Sequence, residues 1–170
     1  MNNWMFLPFE NVFESISVKH EIKQKNYKYN GLYPVVDQGE DFIGGYSDES
    51  IGIIKNIPLI AFGDHTRRFK YIDFPFIVGG DGLKLYKPKY TNIKFSYYMC
   101  LALDFPNKGY ARHNALLKKC NFPVPPLAEQ GRIVERIEEI FAKIDAGVEK
   151  IKSAQEKIKQ YKQSVLHSAF

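Results

Sequence analysis

No cysteine pair in this 170-residue chain has CxxC spacing, and Cys100 and Cys120 are the only cysteines. The four histidines stand far apart, at 20, 65, 113 and 167. A structural zinc site needs about four clustered ligands, so this pattern speaks against a metal-held scaffold. Two cysteines without a framework suit a reducing compartment, where both are buried as small hydrophobes. No stretch reaches the roughly 18 uncharged apolar residues of a membrane span. The start, MNNWMFLPFENVFES, lacks the basic cluster and apolar run of a secretory signal. The expectation is a soluble, cytoplasmic protein with no membrane partner.

Catalytic signatures are also missing. There is no Walker A loop, and Gly79-Gly80-Asp81-Gly82 lacks both the GxGxxG spacing and the helix a dinucleotide requires. It reads as a tight hairpin turn. Neither FxGxG nor an Asn/Asp-Pro-Pro-aromatic tetrapeptide occurs, which excludes an intrinsic adenine methyltransferase. Glu21-Ile22-Lys23 has the carboxylate–x–lysine half of a nuclease metal site, but only Glu10 and Glu14 lie upstream to complete it. His113-Asn114 lacks a second histidine. The chain is therefore expected to be non-catalytic and to bind no metal or cofactor itself.

Proline is absent after residue 126, and glycine nearly so: only Gly131 and Gly147 remain. The sequence Phe122-Pro123-Val124-Pro125-Pro126 marks the change. Proline removes amide donors and biases its predecessor away from helix, so no regular element is expected to cross it. Three parts follow: a globular domain over 1–122, a proline-rich linker over 123–126 and a long helix over 127–170.

The first part reads as α+β with mostly β character. Strands are expected near 33–37, 51–55, 58–62, 68–72, 75–78 and 83–87, separated by turn formers. Ile93, Tyr97 and Leu101 fall at helical spacing, with Thr91 or Asn92 as the cap and an end near Asp104. The last part is helical throughout. Ile137, Ile144, Ile151, Ile158 and Val165 recur every seven residues, with Ile140, Gly147, Val148, Ala154 and Tyr161 completing the seam. About 40 residues rising ~1.5 Å each make a rod of roughly 60 Å. A domain of this size is about 35–40 Å across. The apolar stripe either folds back on its own domain or pairs with another helix, and the overhang favours pairing. A mid-helix glycine costs ~1 kcal/mol, which close helix approach at Gly147 would offset.

Net charge is +5, and it is unevenly spread. Between Arg67 and Lys119 stand eleven basic residues against Asp73, Asp81 and Asp104, whereas the helix is near balance. Such a cluster, interleaved with aromatics, suits phosphate neutralisation and base reading, although a solubilising surface has the same composition. Two segments concentrate the polar types that contact DNA. In Phe62-Gly63-Asp64-His65-Thr66-Arg67-Arg68, Asp64 and Thr66 are expected to bond their own turn and project His65, Arg67 and Arg68. In Lys108-Gly109-Tyr110-Ala111-Arg112-His113-Asn114, the candidates are Lys108, Tyr110, Arg112, His113 and Asn114. Lys70 and Lys84 complete the set.

Pro34-Val35-Val36-Asp37-Gln38-Gly39, Ile43-Gly44-Gly45-Tyr46, Phe62-Gly63-Asp64-His65-Thr66-Arg67 and Val124-Pro125-Pro126-Leu127-Ala128-Glu129-Gln130 together carry a resemblance. The chain resembles the specificity subunits of Type I restriction-modification enzymes, from Trp4 onward. The resemblance implies a DNA-recognition role beside adenine methyltransferase and restriction/translocase subunits. S-adenosylmethionine, ATP and magnesium would belong to those partners. Family members usually carry two recognition domains and two antiparallel helical spacers. This chain has one of each, so it looks half-length, as either a homodimeric subunit or a shortened gene copy. A two-fold dimer would read a palindromic bipartite site. The other reading is an assembly protein that oligomerises through its helix without reading DNA.

Overall fold

The computed structural model describes residues 4–80, 82–106, 109 and 111–169. They form two compact units, Met1–Gly131 and Arg132–Phe170. The first unit is the β-rich mixed domain, and the second lies wholly within one long helix, an α+β architecture.

Among the described residues, the first unit contains eleven strands. These are β1 (Met5–Pro8), β2 (Phe13–Ile16), β3 (Glu21–Ile22), β4 (Tyr33–Val36), β5 (Gly45–Ser47) and β6 (Ile53–Ile54), then β7 (Leu59–Gly63), β8 (Phe69–Ile72), β9 (Phe76–Gly79), β10 (Leu83–Pro88) and β11 (Asn121–Val124). Three helices interrupt them: α1 (Phe9–Val12), α2 (Ile93–Leu101) and α3 (Asn114–Lys119). The fourth, α4, runs Leu127–Ala169.

One sheet is antiparallel, in the order β2-β10-β7-β8. The other follows β3-β9-β4-β5, with β6 also on β9. Leu59, Ala61, Ile72, Leu83 and Leu85 of the first sheet pack with Val36, Phe76 and Val78 of the second, and all are buried. Because β7 is buried at all five positions, it reads as an unbroken apolar run rather than an alternation. The neighbours Phe62 and Tyr86 alternate with those core residues along β7 and β10. Phe62 lies 6.1 Å from Phe105, and Tyr86 joins a ring cluster with Phe9, Phe13 and Phe122.

The six expected strands are all present. Two readings need correction. The Gly79–Gly82 segment closes no hairpin, because β9 and β10 lie in different sheets. β9 already has β4 on one edge and β3 and β6 on the other, so no edge remains for β10. Gly80 and Gly82 take φ of 62° and 95°, which lets the chain step between layers. The proline break does contain a regular element. β11 pairs antiparallel with β1, and Pro123 stands opposite Phe6. A two-stranded sheet leaves one edge unpaired, where proline forfeits no ladder bond. The boundary between the compact units falls inside the helix, at residue 131, not at the prolines.

The first turn of α4 is tied into the domain by Gln130, whose side chain is almost wholly buried. Its Oε1 accepts from the Asn92 amide at 2.7 Å, and its Nε2 donates to the Pro125 carbonyl at 2.7 Å. Asn92 in turn caps α2, its Oδ1 accepting from the amides of Lys94 and Phe95. The helix ends at Leu101, three residues short of the expected Asp104.

Within the second unit, the helix carries exposed ion pairs, Arg136–Glu139, Lys143–Glu139 and Lys152–Glu149. Its apolar stripe is exposed as well. Ile140, Ile144, Val148, Ile151, Ile158, Tyr161 and Val165 are between 41% and 71% accessible, and Ile137 is half-buried. A Cβ added at Gly147 meets no atom within 4 Å, so nothing in the chain's own packing requires glycine there. No helix of the described residues is long and apolar enough to cross a membrane.

Gln130→Ala removes the partners of the Asn92 amide and the buried Pro125 carbonyl, and the expected loss is about 1–3 kcal/mol in chemical denaturation. Leu127→Ala, at an exposed neighbouring position, should change stability little. Equal effects would show that the Gln130 bonds do not anchor the helix.

Candidate nucleic-acid interface

Residues 64–68 link β7 to β8, and Asp64 ties that loop to two other segments. Its amide donates to Gly82 O at 2.8 Å, its carbonyl accepts from the His113 amide at 2.9 Å, and its Oδ1 accepts from the Asn114 amide at 2.7 Å. His113 Nδ1 lies 3.1 Å from the same carbonyl. A carbonyl only accepts, so this geometry puts the ring hydrogen on Nδ1. Sequence reasoning expected Asp64 to bond its own turn. Instead the carboxylate reaches across to the start of α3, and Thr66 Oγ1 closes the turn by accepting from the Arg68 amide. Arg67 adopts a left-handed φ of 59°, with its amide on Gly63 O.

The β4–β5 loop, 37–44, packs beside it. The Asp37 carboxylate accepts from the Gly39 amide and the Tyr27 hydroxyl. A side chain at Gly44 would collide with that carboxylate at 2.7 Å. Gln38 Oε1 accepts from the His65 amide, and Arg68 pairs with Glu40 at 2.9 Å. Lys70 is 5% exposed, and its ammonium donates to the carbonyls of Asp37 and Asp41 at 2.7 and 2.6 Å. Burial holds its pKa below the usual lysine value despite the nearby carboxylates.

These bonds gather the loops around two cavities. One, of about 430 Å³, is lined by Glu21, Gln38, Asp64, His65, Gly82, Lys84 and Arg112. A Cβ at Gly82 would fall within 3.1 Å of Gln38 and His65, so glycine keeps this wall thin. The other, of about 530 Å³, holds Arg67, Arg68 and Lys70 with Phe42, Phe69 and Phe105 among its walls. There the Arg67 guanidinium donates to Phe105 O and lies 5.7 Å from its ring centroid.

The structure thus sorts the expected DNA contacts. His65, Lys84 and Arg112 meet at the first cavity, and Arg67 and Arg68 line the second. Two expectations are corrected. Lys70 is a buried strut between carbonyls, and His113 has no exposed surface and rests on Asp64. Asn114 is half-buried and engaged on both sides, with its amide on Asp64 and its Oδ1 accepting from the Tyr86 hydroxyl. Burial pushes that hydroxyl up to about 12. Lys108 and Tyr110 lie outside the described residues.

Charge counting along the chain overstated the available cations. Lys87 donates to Asn56 Oδ1, and Lys89 donates to the carbonyls of Glu10 and Asn11. Sequence reasoning missed Gln38 as a wall of the first cavity, although it sits in the Asp37-Gln38-Gly39 segment. It also set Glu21 in a nuclease context. Glu21 lies on β3 and Glu14 on β2, in different sheets. Among the described residues, no cluster of His, Cys, Asp and Glu is arranged to hold a metal.

A family model described as the Type I restriction modification DNA specificity domain matches residues 1–160. The chain belongs to the Type I restriction-modification DNA specificity family. The EcoR124I/EcoR124II specificity subunit of Escherichia coli is 30% identical over an aligned length of 139, and the match covers 73% of this chain and 34% of that protein. Among solved structures, the S subunit of M. genitalium is similar at a TM-score of 0.66 and 16% identity, over 85% of this chain and 40% of that one. A chain from work on complex assembly and conformational transition of the type I R-M system scores 0.74 at 17% identity, over 98% and 45%. The specificity-family fold therefore extends over almost the whole sequence. The chain spans less than half the length of each of these relatives.

Within this specificity domain, Lys70→Met should cost about 1–3 kcal/mol in urea denaturation, because two carbonyls lose their donor. Arg112→Ala, at an exposed position, should stay within about 0.5 kcal/mol. A neutral Lys70→Met would return that lysine to the pool of surface cations.

Proposed function

We propose that this chain is the DNA-reading part of a Type I restriction-modification complex and does no chemistry itself. Methylation with S-adenosylmethionine and ATP- and magnesium-dependent cutting would fall to partner subunits. The observation that carries the reading is the first cavity. Lys84 and Arg112 line it beside Gln38 and His65, on loops pinned by Asp64, in a chain whose family is named for DNA specificity. Rigid loops bearing side chains that donate to base edges and phosphates are what sequence reading requires.

Pairing is the second half of the proposal. The exposed stripe from Ile140 to Val165 needs a cover, and a second copy lying antiparallel would supply one. Two domains would then read two half-sites related by a two-fold axis, so the target would be palindromic and bipartite, with centres about 34 Å or more apart.

Binding to a random-sequence duplex should weaken at least tenfold between about 50 and 200 mM salt, as measured by fluorescence anisotropy. Absence of binding at the lower salt would overturn the DNA reading and favour a pure assembly role. The double variant Ile144→Asp/Ile151→Asp should sediment as a monomer, because carboxylates in a closed seam have no countercharge. An unchanged dimer would place the contact elsewhere.

A further inference from the structure

Of the two cavities, the first has an unusual charge pattern for a phosphate site. Lys84 and Arg112 share its walls with two carboxylates, Glu21 and Asp64. A pocket built for phosphate would exclude carboxylates, since like charge opposes the anion it must hold. The Asp64 carboxylate is already committed to the Asn114 amide and is nearly inaccessible, so its role is to hold the loop. Glu21 is different. It is exposed on β3, and no ion pair with it is found among the described residues. Arg112 is likewise exposed, and no partner for it is found among the described residues.

The two come from distant parts of the chain. Glu21 sits on the short strand β3, held in register against Val78 of β9. Arg112 directly precedes His113, which is fixed to the Asp64 carbonyl. A forked donor and a carboxylate acceptor thus face one space from two anchored supports. A guanine presents two acceptors in the major groove, O6 and N7, and its paired cytosine presents an N4 donor. Arginine matches the first edge and glutamate the second.

We propose that this cavity reads a single G·C base pair through its major-groove edge, with Arg112 donating to guanine and Glu21 accepting from cytosine N4. This inference rests on the DNA reading above and refines it. Gly82 at the cavity wall, where any side chain would strike Gln38 and His65, keeps the approach open for a base edge. Lys84, on β10, serves the adjoining phosphate.

The test is selection from a duplex library with a random core, using the full-length chain, Arg112→Ala, Glu21→Ala and Lys84→Ala. The unaltered protein should select G·C at one position. Arg112→Ala and Glu21→Ala should both lose discrimination at that same position, by roughly tenfold to a hundredfold for Arg112→Ala, and keep the rest of the motif. Lys84→Ala should weaken all sequences evenly and reduce the salt slope. With 7-deazaguanine at that position, the unaltered protein should lose affinity and Arg112→Ala should not, since N7 is the atom removed. Uniform weakening by Arg112→Ala would make it a phosphate contact and overturn base reading, with DNA binding intact. So would effects of the two variants at different positions, or no effect of either. A chain that selects no sequence and binds no duplex would overturn the DNA reading itself, and this inference with it.

Discussion

Asp64 is the point on which the proposed recognition face depends. Its amide bonds Gly82, while its carbonyl and carboxylate bond the adjacent His113 and Asn114, and these bonds bring the β7–β8 loop, the glycine step at Gly82 and the start of α3 together. The residue is buried, so each bond exchanges little with water and the geometry is held closely. Loops are ordinarily the mobile parts of a fold, yet a reading surface must present its groups at fixed spacing. Here the rigidity comes from a short acidic side chain at the mouth of a fully buried strand.

The same economy governs positive charge. Several lysines and arginines that mark the second half of the domain as basic are internal fasteners. Lys70 spans two carbonyls of the β4–β5 loop, Lys89 binds the carbonyls of α1, and Arg67 holds Phe105. Lys70 does so from a buried position, where the carbonyls need a donor, whereas Lys89 bonds carbonyls at exposed positions. What remains for an external anion is a smaller set, centred on Lys84 and Arg112. Arg68 stands between, because its exposed pairing with Glu40 is weak enough to exchange for another partner.

The motifs that carry the family resemblance turn out to be scaffold. Asp37, Gly39 and Gly44 shape one loop, Gly63 and Asp64 shape the next, and Gln130 secures the first turn of the helix. Of the residues that line the first cavity, Gln38, Asp64 and His65 belong to these motifs, whereas Glu21, Gly82, Lys84 and Arg112 stand outside them. The helix adds a separate constraint, since an exposed stripe at seven-residue spacing has no cover within its own unit.

Much of the fold was legible in the linear order. The run Leu59–Gly63 and the heptad from Ile137 each encode a local preference, and these preferences survive in the folded chain, whereas the proline cluster misled, since β11 runs through it. The short pieces β1, β3, β5 and α3 were not legible, because a few residues hold too little periodicity and depend on partners far away. The site divided along the same line. Residue type and turn chemistry alone singled out His65, Lys84 and Arg112. That Gln38 and Glu21 join them, and that Lys70 and His113 turn inward, depends on long-range bonds. Those bonds form only when two sheets stack and their loops meet, and no neighbouring residue announces them.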